Sequence, residues 1–192
     1  REWITKLPPF DLGQVVRKGK KINLSTLGGR AYIKEKGTNV GQKGFSIFWK
    51  DRLVDGHAQK PWMPSNESYD EEELQIYGAK NQYVAQRLEG YVLLSPEFQV
   101  PSTKDGVDWE GVEESLIKQL KDYLESASLD SDDSDAKYNF IKQCKKLAVL
   151  NQEDDDNDED YSSGLPGTDP GTPPIYIEPD DDDENDENDE ND

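Results

Sequence analysis

Few residues in this chain are able to do chemistry, and their spacing excludes several reactions. There is one histidine, His57, and one cysteine, Cys144. A structural zinc ion takes four ligands, largely Cys and His, so one of each in a chain cannot build such a site. A Cys–His nucleophilic pair needs both side chains within hydrogen-bond reach. Cys144 stands among Lys142, Lys145 and Lys146 on an expected helix, and His57 in a distant loop. The run Asp130-x-Asp132-Asp133-x-Asp135 has the carboxylate density of a calcium loop but not its pattern. The sixth position, where glycine makes the turn, is Asp135, and the twelfth is Ile141 instead of Glu. It reads as a solvated linker. No catalytic or metal-ligating residue is assigned. Lys104, in the polar loop Pro101-Ser102-Thr103-Lys104-Asp105-Gly106, reads on its own as a surface lysine. Thr103 and Asp105 suit the loop's own turns through side-chain-to-backbone hydrogen bonds. The cluster Arg17-Lys18-Gly19-Lys20-Lys21 is open to phosphate contact or to plain solvation.

The charge around these residues is uneven. The 192 residues carry a net charge of −20, yet residues 151–192 hold 19 acids and no Lys or Arg. The first 150 residues hold 23 acids against 22 bases, so the body is balanced and free to carry basic faces. Residues 164–174 are rich in Gly, Pro and Thr, and residues 180–192 are Asp/Glu/Asn low complexity. Such a tail buries too little apolar surface to offset its ordering entropy, and disorder is expected. Three roles stay open for it: solubility, shielding of a basic face of the same molecule, or docking of a basic partner. A single cysteine permits no intrachain disulfide, and no apolar run approaches the ~20 residues of a membrane helix. A reducing, cytoplasmic setting without a membrane is the expectation. A chain opening on Arg1 is expected to be part of a longer protein.

The elements that position these residues read as α+β, a mixed sheet with packed helices. Residues 1–21, with Pro8 and Pro9, read as an irregular entry segment. Ile22-Asn23-Leu24 alternates, and Gly28-Gly29 is expected to open a strand over residues 30–34. Residues 44–49 are dense in strand formers, Lys50-Asp51 is a turn, and Arg52-Leu53-Val54 returns. Residues 55–82 form a long connection, with a helical turn near residues 71–78. Residues 86–94 read as a strand ended by Ser95-Pro96. Asp108 is the expected N-cap of a helix over residues 109–126, with Val112, Leu116, Leu120 and Leu124 on its apolar stripe. After a linker, residues 136–150 form a basic helix whose apolar positions are Tyr138, Ile141, Leu147 and Leu150. Four pieces result: 1–21, 22–128, 129–150 and 151–192. Trp49 and Trp109 are expected core anchors, Trp62 an exposed contact, and Arg52 and Arg87 structural.

Two stretches carry a family likeness: GGRAYIKEKGTNVGQKGFSIFWKDRLVDG, residues 28–56, and QRLEGYVLLSPEFQVPSTKDGVDW, residues 86–109. In this order they resemble the transducer region of GHKL-type ATPases, the gyrase, MutL and MORC relatives with many bacterial members. In those proteins a G-F-x-[IV]-[FY] strand leads to a charged turn and R-L-[IV]. A strand ending in an apolar-Pro or polar-Pro pair then leads to a [TN]-K-[DQ] loop and a long helix. The resemblance spans roughly residues 14–128.

The resemblance implies a ribosomal-protein-like transducer fold with a left-handed β-α-β crossover. It implies that Lys104 reaches the γ-phosphate of ATP bound, with Mg, by an upstream domain. It also implies a homodimer in the full protein, with nucleotide state coupled to dimer closure in a nucleic-acid-associated or defence process. The nucleotide domain's acid-and-asparagine helix and D-x-G-x-G loop are missing here: Gly28-Gly29 lacks the preceding Asp, and Asn39 has no helical acid partner. Hydrolysis by this chain alone is therefore not expected. The competing reading is a non-enzymatic interaction module, in which the acidic tail binds a basic partner or shields a basic surface.

Overall fold

One strand organises the molecule. In the computed structural model, β3 (Lys20–Ile33) runs for 14 residues and serves three neighbours. Its first half pairs with β2 (Asp11–Arg17), and its second half lies between β1 (Trp3–Leu7) and β6 (Leu88–Leu94), all antiparallel. β4 (Gly44–Trp49) joins β6 in parallel, and β5 (Arg52–Asp55) closes the far edge antiparallel to β4. The order is β1-β3-β6-β4-β5, with β2 attached to β3. The structure describes residues 3–37, 43–78, 83–101, 106–109, 111–130 and 136–155, with side chains to 150. These belong to the unit Arg1–Glu159; Asp160–Asp192 lies outside the described residues, as does the expectation of disorder there.

Leu24 and Ile33 are both fully buried although nine residues separate them. In a regular strand an odd spacing puts side chains on opposite faces. A bulge between Thr26 and Gly28 adds the residue that restores parity. β2 solves the same problem between Leu12 and Val15, with a register shift at Gly13 (φ 96°). The buried face packs on α2 (Glu113–Leu124), which inserts Leu116, Ile117, Leu120 and Leu124 at helical spacing. α3 (Phe140–Asp155) adds Phe140, Cys144 and Ala148. The opposite face is half-exposed and carries a Lys34–Glu89 ion pair at 2.5 Å and an edge-to-face Phe48–Tyr91 contact.

The fold is α+β with a mixed sheet, as expected, and several local expectations are corrected. The entry segment expected over residues 1–21 is not irregular where it is described: from Trp3 it forms β1, β2 and a hairpin turn. Gly28-Gly29 does not open a strand but lies inside β3. Gln86 and Arg87 end a short helix, α1 (Tyr83–Arg87), ahead of β6. α2 starts four residues later than Trp109. Gly111, at φ 80°, breaks helical backbone, and the N-cap position of α2 belongs to Val112, not Asp108, with no side-chain cap. The basic helix is not a separate piece, because Phe140 is buried with its ring edge-on to Trp3 of β1 at 6.5 Å. Its buried residues are Phe140, Cys144 and Ala148, while Leu150 is exposed. No helix among the described residues is long and apolar enough to cross a membrane.

Candidate functional site

Lys104, with Thr103 and Asp105, lies outside the described residues, but both ends of its loop are described. Gly106 donates its N–H to the Val54 carbonyl of β5 at 3.1 Å. This bond ties the end of the loop to the edge strand. Gly106 also lines a cleft of about 450 Å³, with Asp55, Lys60, Pro61, Trp62, Met63, Tyr69, Val107, Trp109 and Glu113 among its walls.

The aromatic wall is built from three segments. Trp62 comes from the long connection and is held to β4 by the Phe45 N–H on its carbonyl at 3.0 Å. Trp109, ahead of α2, stacks on Trp62 at 6.1 Å with an interplanar angle of 29° and meets Phe98 edge-on at 6.0 Å. Glu113, in the first turn of α2, accepts the Trp62 indole N–H at 2.7 Å. The same carboxylate is hydrogen-bonded to the Tyr69 hydroxyl. Burial of Tyr69, then the Glu113 charge, push the Tyr69 phenol well above its ordinary value. Trp62, expected to be exposed, is only 7% exposed. The indole sits in the core because an acid 51 residues away receives its N–H.

Chemically the cleft is an aromatic pocket with an acidic rim. Its carboxylates accept hydrogen bonds and repel phosphate. Among the described residues no group of His, Cys, Asp and Glu is arranged to hold a metal ion. A second cleft, of about 510 Å³, lies between the 3-10 turn Glu72–Leu74, α2 and α3. Lys121 spans it to donate to the Glu72 carbonyl at 2.7 Å.

The remaining candidates fall apart from each other. His57 is exposed, with Nδ1 on Gln59 at 3.0 Å, while Cys144 is fully buried. Burial, offset in part by Arg87, pushes the Cys144 thiol up to about 12, so a thiolate does not form near neutral pH. Arg87 is structural: 4% exposed, it donates to the Lys34 and Glu35 carbonyls and closes the end of β3. Arg52, expected to be structural, is exposed and has no ion pair among the described residues. Asp130 of the acidic linker is engaged, accepting the Lys6 N–H at 3.0 Å and pairing with Arg30 at 3.2 Å; Asp132, Asp133 and Asp135 lie outside the described residues.

No protein-family model matches the chain, and no curated protein or solved structure matches it significantly.

Replacing Glu113 with leucine leaves the Trp62 N–H and the Tyr69 hydroxyl unpaired in a part-buried place. Stability is expected to fall by about 1–3 kcal/mol, read as a lower urea midpoint. The Tyr69 phenol should also titrate closer to its ordinary range. A variant with unchanged stability and unchanged tyrosine titration would show that the carboxylate does not hold this wall.

Proposed function

We propose that this chain is the transducer-type second domain of a GHKL-type ATPase, coupling ATP held by an upstream domain to conformational change and dimer closure. The observation that supports the reading is the meeting of the two family-like stretches. The first supplies β4 and β5, the second supplies β6, and the strands lie side by side with β4 and β6 parallel. The second stretch then returns, and Gly106, at the end of the Lys104 loop, bonds to Val54 of the first. A lysine that senses a neighbouring phosphate has to be held in place, and the Gly106 bond to Val54 is the described anchor next to the Lys104 loop.

The described residues do not make a triphosphate cradle, because the cleft beside the loop carries Asp55 and Glu113. Binding of Mg and ATP is therefore assigned to the upstream domain. Lys104 supplies one positive charge against the γ-phosphate. Loss of that phosphate removes its partner, and the domain orientation changes with it.

The test joins this chain to its upstream region and compares wild type with Lys104→Ala. Loss of one preorganised charge on a transferring phosphoryl group is expected to lower turnover by about 100- to 1,000-fold and to weaken ATP-dependent dimerisation. Lys60→Ala, on the cleft wall, serves as the control and should leave both unchanged. Equal turnover and equal dimerisation in wild type and Lys104→Ala would remove the reading.

A further inference from the structure

The segment over residues 12–33 contains Arg17, Lys18, Lys20, Lys21 and Arg30 and not one Asp or Glu, in a chain with 42 acids. It folds into β2 and β3. Only from Thr26 onward does β3 register with β6, and the Ser25 carbonyl still accepts the Ser95 N–H just past the end of β6 at 3.0 Å. A two-stranded ribbon of β2 and β3 therefore runs beyond this point, from Leu24 to Lys20, about 13 Å at 3.3–3.4 Å per residue. Arg17 pairs with Lys20 across a two-residue turn, Lys18 (φ 49°) and Gly19 (φ 75°). Both residues are left-handed, the geometry that follows the twist of a tight hairpin.

We infer that this ribbon is a docking surface for double-helical DNA, lying in the major groove with its lysines on the flanking phosphates. Lys18, Lys20 and Lys21 are exposed and make no ion pair among the described residues. The β4–β5 turn adds exposed Lys50 and Arg52 at the same end of the sheet, since Trp49 and Thr26 both register with Leu94. Five exposed cations, Lys18, Lys20, Lys21, Lys50 and Arg52, thus lie on the ribbon and on the β4–β5 turn at one end of the sheet, beside the exposed acid Asp51 of that turn.

The ribbon is also preorganised. Its inner face is packed through Val15 and Arg17, and Arg17 Nη1 donates to the Glu97 carbonyl at 3.2 Å. Its outer face presents Gln14, Val16, Lys21 and Asn23, with Val16 69% exposed. Side-chain amides read adenine, and an apolar methyl fits the thymine methyl. The B-form major groove, about 12 Å wide, admits a two-stranded ribbon, whereas the A-form groove is too deep and narrow for side chains to read. The inference stands independently of the role given to Lys104.

The test measures anisotropy of labelled duplex DNA against the full chain, so that the 19 tail acids stay constant among variants. Five phosphate contacts predict that log affinity falls with log salt at a slope of about −4 to −5, and Lys20→Ala with Lys21→Ala should reduce that slope by about two. Lys20→Arg with Lys21→Arg should keep it. Gln14→Ala with Asn23→Ala should leave the slope alone and change the preference among base sequences. All of these positions are exposed, so unchanged circular dichroism and melting are expected. The proposal fails if the full chain does not bind duplex DNA at low salt or if the double alanine variant keeps the wild-type slope. It fails equally if duplex RNA or phosphatidylserine vesicles bind as tightly as DNA.

Discussion

Gly29→Ala is expected to lower stability by more than about 3 kcal/mol, above the usual range for overpacking. Gly29 is the point where β3 is paired on both sides, with Leu7 of β1 and Val92 of β6. A Cβ added there would lie 2.0 Å from the Tyr91 carbonyl oxygen and 3.2 Å from the Val92 Cα. Those atoms are backbone of a central strand, so relief requires the strands to part. The natural comparison is Gly13→Ala. Gly13 has a φ of 96° and nothing within 4 Å of an added Cβ. Its substitution costs only left-handed strain, about 1–2 kcal/mol. Urea unfolding of both variants checks the order. Equal midpoints would mean that β1, β3 and β6 have slack that the close approach at Gly29 denies.

The same glycine shows why part of the fold was hard to read from sequence. Two adjacent glycines ordinarily signal a turn. Here one sits at a bulge and the next at a close strand contact, and neither need is visible before the neighbours are known. β1 and β2 were hidden for related reasons: Pro8-Pro9 suggested an irregular segment, and the bulge at Gly13 breaks the alternation that would announce β2. Where the signal was local, it was legible. The Lys50-Asp51 turn, with both residues left-handed, and its flanking strands are as expected. So is the stripe of α2, whose one-sided apolar face needs no knowledge of what it covers. The face of α3 was legible in part: Tyr138, Ile141 and Leu147 pack half-buried against the core, whereas the fully buried positions are Phe140, Cys144 and Ala148, and small side chains such as Cys and Ala carry little signal in an apolar pattern.

The candidate site divides in the same way. Lys104 is assigned from its place in a family-like loop and lies outside the described residues. The wall beside that loop was not legible. Trp62 looked exposed in a Pro-rich connection, and only the fold brings it to Trp109 and Glu113. Basic charge was legible at the Arg17 to Lys21 cluster, but its meaning was not. Whether five residues are a loose loop or the tip of a framed ribbon depends on pairing across β2 and β3, which leaves no trace in composition.

Stability should fall steeply in alkali, and Cys144 should be a main cause. Burial holds its thiol at about 12 instead of the ordinary value near 9. The neutral form is therefore favoured more in the folded chain than in the unfolded one. Below pH 9 both states keep the proton and the contribution is complete. Between pH 9 and pH 12 the unfolded thiol ionises while the folded one does not, so the advantage is lost at up to 1.36 kcal/mol per pH unit, about 4 kcal/mol in all. Tyr77, fully buried beside Cys144, shifts in the same direction and steepens the fall above its own ordinary value of 10. Urea midpoints for wild type and Cys144→Ala, taken at each pH unit from 8 to 11, separate the two groups. Cys144→Ala should start somewhat less stable, from the small volume lost, and then decline more slowly above pH 9. Parallel declines would mean that the thiol is reached by water, and that α3 is not closed over the sheet at Phe140 and Cys144.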